Sequence, residues 1–166
     1  MEESLTNNQK VVRLVLMIAL PIAVGIGSAA ITGDSMIHYN RLFLPRFAPP
    51  GRVFPSVWTV LYIMMGIGSY FLLTANVETE QQVNDRHSAL IIYFIHLGFN
   101  FAWSLFFFIG ELYLFSFFWL IAMWLMIVAI VVKASRVCAR ATAMFVPYLL
   151  WCTFAAYLNV MISIMN

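Results

Sequence analysis

Of the chain's 166 residues, 63% are hydrophobic and 10% charged, and the formal net charge is +2. A soluble domain carries about 25% charged residues, so this chain cannot cover a water-facing surface, and a soluble globular fold is excluded. A charge this small and scattered also excludes a nucleic-acid footprint, which leaves an all-α integral membrane protein folded as one helix bundle.

A bilayer core of about 30 Å takes roughly 20 apolar residues of helix, and five stretches meet that length. Residues 1–10 read as a polar tail and 11–166 as a single five-helix domain. The first span covers 11–31. Lys10 and Arg13 ahead of an apolar run, with "SAA" at 28–30, have the order of a signal peptide. The acidic start "MEES" is atypical of one, and "GIGSAA" (25–30) equally suits a helix packing closely through small residues. The long connection 32–52 ends in "FAPPGRVFPSVWTVLY" (47–62), where Pro49 and Pro50 hold the chain extended and Gly51 lets it turn. That stretch predicts both a helix start and the hinge of a lid. The second span follows at 53–75, the third at 88–109 and the fourth at 112–132; the last two are close enough to form a tight antiparallel hairpin. The fifth covers 142–164. Cys138 and Cys152 form no C-x-x-C motif and read as small packing residues.

With five spans, Lys10, Arg13, Arg86, Lys133, Arg136 and Arg140 share one side, against Arg41, Arg46 and Arg52 on the other. Six against three places the N-terminus in the cytoplasm and the first loop outside. An uncleaved helical chain of this kind points to a bacterial inner membrane.

Helical rise then sets depth. Trp58 falls about 9 Å below the outer surface, while Asn100 and Trp103 fall about 18 and 22 Å from the inner one. Trp151 falls about 14 Å from the inner surface, near the midplane. His96, Asn100, Trp103 and Phe107 recur at i, i+4, i+7, i+11 on span three; Trp58, Tyr62, Met65 and Ser69 form a stripe on span two, and Pro147, Trp151, Phe154, Ala155 and Leu158 one on span five. An Asn at membrane depth must face the bundle and find partners, so Trp103 turns inward with it. Interfacial anchoring accounts for Tyr113 and for a single Trp58. The convergence of three helices on one layer points instead to an aromatic-lined cavity, the usual composition of a small-molecule site.

Conventional catalytic chemistry is missing: there is no nucleophile–base pairing, no phosphate loop and no pair of carboxylates. The acidic residues Glu2, Glu3, Asp34, Glu78, Glu80, Asp85 and Glu111 all fall in termini or connections. His38, His87 and His96 belong to different regions and cannot meet at one metal, so no metal site is expected. His96 reads as a hydrogen-bonded interior histidine rather than a haem ligand.

Three motifs, "PPGRVFPSVWTVLY" (49–62), "LGFNFAWSLFFF" (97–108) and "PYLLWCTFAAYLN" (147–159), together resemble the tryptophan-rich sensory protein/translocator protein family, also called peripheral-type benzodiazepine receptors. The resemblance covers nearly the whole chain from span one, which it makes a retained helix rather than a cleaved signal. It implies a five-helix bundle, commonly a homodimer, with a pocket closed by the first loop and no required cofactor. The implied ligands are porphyrins or other haem-type tetrapyrroles, sterols and synthetic isoquinoline-type compounds. By motif, Trp58 and Trp151 match the family's pocket tryptophans, Asn100 and Trp103 its N-x-x-W/F pair, and Ala155 its small residue beside the ligand.

The expected ligand-binding set is Tyr39, Pro49, Trp58, Tyr62, His96, Asn100, Trp103, Trp151, Ala155 and Leu158, with Arg41, Arg46 or Arg52 pairing ligand carboxylates at the mouth. The leading expectation is a receptor or sensor that binds porphyrins, with a role in their transport or regulation. The alternatives are light-dependent porphyrin degradation, with Trp58 and Trp151 as participants, and transport of tetrapyrroles or sterols. His38 and Phe47 stand where the family commonly has tryptophan. No Lys or Arg follows Tyr157, so the proposed sterol-recognition pattern is incomplete here.

Overall fold

The computed structural model describes residues 6–166; residues 1–5 of the expected tail lie outside the described residues. Helix α1 spans Asn7–Thr32. It opens on a capping box in which Thr6 Oγ1 accepts the Gln9 N–H and Gln9 Oε1 accepts the Thr6 N–H. The helix therefore starts before its apolar stretch, because residues 7–10 supply its capped first turn. It stops at Gly33, whose φ of 49° suits a residue without Cβ and whose N–H returns to the Ala29 carbonyl.

A short helix α2, Ser35–Tyr39, lies in the connection to α3, Val53–Leu73. Helix α4, Glu80–Ser104, begins on a second capping box, Thr79 with Gln82. It continues into a wider π-helical turn, Leu105–Ile109, closed by the Gly110 N–H on the Leu105 carbonyl at 2.9 Å. Glu111, at φ 51°, turns the chain into α5, Tyr113–Val137. Cys138 alone, in extended conformation, separates α5 from α6, Ala139–Met165.

Five of these helices are long and apolar enough to cross a membrane, with α4 and its π turn counted as one. The chain is an integral membrane protein with a five-helix bundle. Around the bundle the helices neighbour one another in the order α1, α3, α6, α5, α4, and α1 closes the circuit more loosely against α4.

Lipid tails are as apolar as leucine, so burial alone does not drive helices together in a bilayer; close packing and interhelical hydrogen bonds do. Both are present. Gly66 of α3 lies directly against the backbone of α1 at Met17 and Ile18, where a Cβ would collide. Between α3, α4, α5 and α6 the side chains of Met65, Tyr93, Ile127, Phe145 and Tyr148 form a closed core. Across the helices, Trp119 Nε1 donates to the Phe99 carbonyl at 2.9 Å and Trp124 Nε1 to Thr153 Oγ1 at 2.8 Å.

At the end of the bundle away from the first loop, Asp85 is 1% exposed and belongs to α4, not to a connection. Lys133 Nζ of α5 reaches it at 3.0 Å and Arg136 at 3.5 Å, and Gln81 donates to it at 3.1 Å. Placing this acid in a loop follows from reading the span at the start of the apolar stretch. The capping box starts the helix eight residues earlier than the expected boundary at 88.

Candidate ligand-binding site

A cavity of about 390 Å³ opens between α1, α2, α3, α4 with its π turn, and α6; α5 contributes nothing to its lining. Small residues on α1 make the room: Gly25, Ser28 and Ala29 form one wall. Facing them, α3 supplies Phe54, Trp58 and Tyr62, and α6 supplies Ala155, Leu158 and Asn159. The π turn widens the helix where Phe107 and Phe108 enter the lining. No Asp, Glu, Lys, Arg or His lines the cavity among the described residues.

The aromatic rings are held by neighbours rather than left loose. Trp58 packs on Tyr62 with centroids 5.4 Å apart and meets Tyr148 edge-on at 5.9 Å. Trp103 stacks on Phe107 at 5.2 Å, and its indole N–H donates to Asn159 Oδ1 at 3.1 Å. Asn159 Nδ2 in turn donates to the Tyr113 carbonyl at 2.8 Å, fixing the amide. Ser28 and Ser104 join hydroxyls across α1 and α4.

A buried polar chain runs away from the cavity. Tyr62 Oη donates to Asn100 Oδ1 at 2.6 Å, Asn100 Nδ2 donates to Tyr148 Oη at 3.0 Å, and Tyr148 Oη lies 3.1 Å from His96 Nε2. This satisfies the requirement that an intramembrane Asn and His find partners.

The connection 33–52 covers one end. Tyr39 is buried against Phe107 and Ile162, and its hydroxyl donates to the Pro49 carbonyl at 3.2 Å. Burial pushes the Tyr39 phenol up to about 12, so it remains a donor throughout the neutral range. His38 Nε2 meets Tyr113 Oη at 3.0 Å, with Glu111 at 3.8 Å from Nδ1. The side chain of Asn166 grips the backbone of Phe43 through two hydrogen bonds.

Of the residues singled out in the sequence, Tyr39, Trp58, Tyr62, Asn100, Trp103, Ala155 and Leu158 all line this one cavity. Pro49 does not line it but receives the Tyr39 hydroxyl that holds the cover in place. His96 and Trp151 lie one layer back, His96 behind Tyr148 and Trp151 behind Phe54. Arg41, Arg46 and Arg52 are solvent-side residues of the connection and its junction with α3, outside the lining. The sequence reading missed Phe54, Asn159 and the α1 wall. The signal for the wall was "GIGSAA", read as a packing surface although small residues equally leave space.

The family model of the TspO/MBR family matches residues 17–165. The chain is 33% identical to the tryptophan-rich protein TspO of Chlorobaculum tepidum, over 96% of this chain and 99% of that protein. It is 33% identical to a tryptophan-rich sensory protein of Cereibacter sphaeroides, over 73% and 72%, and 30% identical to the human translocator protein, over 81% and 78%.

Proposed function

The chain belongs to the TspO/MBR family of membrane proteins, and from that premise we propose that it is a receptor that takes a porphyrin-type tetrapyrrole into the cavity, with a role in tetrapyrrole transport or regulation. One observation carries the reading. Trp58, Trp103, Phe54 and Phe107, from α3, α4 and its π turn, line one uncharged space, which favours a flat, largely apolar ligand over an ion or a polar metabolite. The cavity size lies within the range of about 300–1,000 Å³ usual for small-molecule sites.

Arg41, Arg46 and Arg52 would meet the ligand's carboxylates where these emerge at the covered end, since no cation lines the interior among the described residues. The excess of Lys and Arg at the opposite end supports an orientation with the N-terminus in the cytoplasm and the first loop outside; the membrane we propose is a bacterial inner one.

The experiment is a titration of protoporphyrin into the purified protein, followed by tryptophan quenching. Saturable quenching that weakens in Trp58→Phe and Trp103→Phe is the expected result. Affinity unchanged in both variants overturns the assignment of this cavity.

A further inference from the structure

The polar chain leading from the cavity has a direction, and bond lengths give it. O–H···O bonds run about 2.5–3.0 Å and N–H···O bonds about 2.7–3.2 Å. The 2.6 Å between Tyr62 Oη and Asn100 therefore joins a hydroxyl to the amide oxygen, and the 3.0 Å between Asn100 and Tyr148 Oη suits the amide nitrogen. Tyr148, accepting from Asn100, has one proton left, and His96 Nε2 at 3.1 Å is placed to accept it when that nitrogen is bare. In that tautomer Nδ1 carries the ring proton, with no protein partner among the described residues. The Tyr62 and Tyr148 hydroxyl protons and the bonded Asn100 N–H then point away from the cavity.

Four further hydroxyls of the lining, on Ser28, Thr32, Thr59 and Ser104, behave alike. Ser104 Oγ donates to the Phe101 carbonyl at 2.7 Å, so Ser28 is the donor in the Ser28–Ser104 pair and Ser104 the acceptor. Thr59 spends its proton on Pro55 O and Thr32 on Ser28 O. These residues thus present oxygen lone pairs, and no cation lines the cavity among the described residues.

We propose that the directed chain Tyr62–Asn100–Tyr148–His96 makes Tyr62 a hydrogen-bond acceptor toward the cavity, with His96 as the positioning residue that sets this polarity, so that the site selects planar ligands whose body inside the cavity is uncharged and bears an N–H or O–H donor. The proposal rests on the reading of the cavity as a ligand site and specifies the chemistry of what it takes. His96 touches no ligand. It acts because it is the acceptor that terminates the chain. Without that acceptor, the Tyr148 proton turns to Asn100 Oδ1, the amide rotates so that Nδ2 donates to Tyr62, and the Tyr62 proton is released to the cavity.

Three probes built on the same planar 6-5-6 ring frame test this: carbazole, which donates through N–H; N-methylcarbazole, which cannot; and fluorenone, which accepts through its carbonyl. Binding is read by calorimetry on nanodisc-embedded protein, with empty nanodiscs subtracted. Wild type is expected to bind carbazole about five-fold or more tighter than the other two, the effect of one net hydrogen bond. Tyr62→Phe removes the preference while keeping N-methylcarbazole binding. His96→Gln, whose amide oxygen can still accept from Tyr148, keeps the preference, and His96→Phe shifts it to fluorenone. A merely structural His96 would lower all three affinities together. Independently of any variant, ¹⁵N spectra of the wild-type histidines should show His96 protonated on Nδ1; protonation on Nε2 overturns the proposal. Equal binding of the three probes by wild type also overturns it and leaves the cavity assignment standing. Binding of none of them, with protoporphyrin quenching likewise insensitive to Trp58→Phe, overturns both.

Discussion

The ring of Phe54 stands between Trp151 and the cavity: the two centroids are 5.9 Å apart, the planes meet at 69°, and Phe54, not Trp151, belongs to the lining. Trp58 and Trp103 touch the cavity directly, so the three tryptophans are not equivalent. An aromatic contact is worth about 0.5–1.5 kcal/mol beyond its area, which converts to roughly two- to twelve-fold in affinity. Trp58→Phe and Trp103→Phe are expected to fall in that range for protoporphyrin, and Trp151→Phe below two-fold. Phe54→Ala should expose the Trp151 indole and raise its share of the quenching, measured in a Trp58→Phe/Trp103→Phe background. A Trp151→Phe effect as large as that of Trp58→Phe would show that Phe54 yields when the ligand binds.

Gly25 governs whether the wall of α1 can sit where it does. A Cβ there would collide with the Tyr62 ring, whose hydroxyl must stay on Asn100. Gly25→Ala therefore either pushes α1 outward or turns Tyr62 off its bond. Overpacking of this kind costs about 1–3 kcal/mol. The expected outcome is a lower unfolding temperature together with weaker protoporphyrin binding. Gly98→Ala, where nothing lies within reach of the added methyl group and helix propensity favours alanine, is the control that should lower neither.

The sequence made Asn100 legible because a polar residue in an apolar helix has one affordable direction, and that direction carried Trp103 with it. Helical rise gave heights but not the lateral distance between helices. Trp151 sits at a suitable depth on α6, yet a ring from α3 occupies the space in front of it, and no spacing within α6 could reveal that. His96 shares the Asn100 stripe and was drawn to the cavity by periodicity. In the structure Tyr148 fills the path between them. Asp85 shows the other kind of error. Hydropathy marks where lipid begins, whereas the Thr79–Gln82 capping box marks where the helix begins, and the buried acid lies between the two.

That acid yields a prediction separate from the ligand. Asp85 is enclosed between α4 and α5, with Lys133 and Arg136 as its cationic partners. Removing one partner of a buried pair leaves the other uncompensated, whereas removing both is less damaging. Lys133→Ala, which leaves the buried carboxylate with Arg136 as its one cation, should lower the unfolding temperature in detergent more than Asp85→Ala, which leaves Lys133 free to turn to water. The double variant should be more stable than the two losses added together. Strict additivity would mean that the contact contributes nothing to joining α4 and α5. Protoporphyrin affinity is expected to stay unchanged in these variants, because no residue of the cluster approaches the cavity.

The cover over the cavity is fastened at a residue far away in the chain. Asn166 Oδ1 accepts the Phe43 N–H at 2.9 Å, while Nδ2 donates to the Phe43 carbonyl at 3.1 Å and to the Ile162 carbonyl at 3.0 Å. One amide thereby pairs with both backbone groups of a single residue, as a neighbouring strand would, and ties the connection to α6. Net hydrogen bonds contribute about 0.5–1.5 kcal/mol each, and exposed ones fall at the lower end. Asn166→Ala removes the two on Phe43 and should speed release of bound protoporphyrin about three- to ten-fold, with a smaller change in the association rate. Asn166→Asp keeps the acceptor, loses both donors and should fall between. Stopped-flow fluorescence after mixing with excess apomyoglobin as a trap measures the release. A rate equal to wild type in Asn166→Ala would mean that the ligand leaves without lifting the connection. The path would then run between α1 and α3, where Ile26, Ala29, Pro55 and Thr59 are at once part of the lining and exposed on the bundle surface.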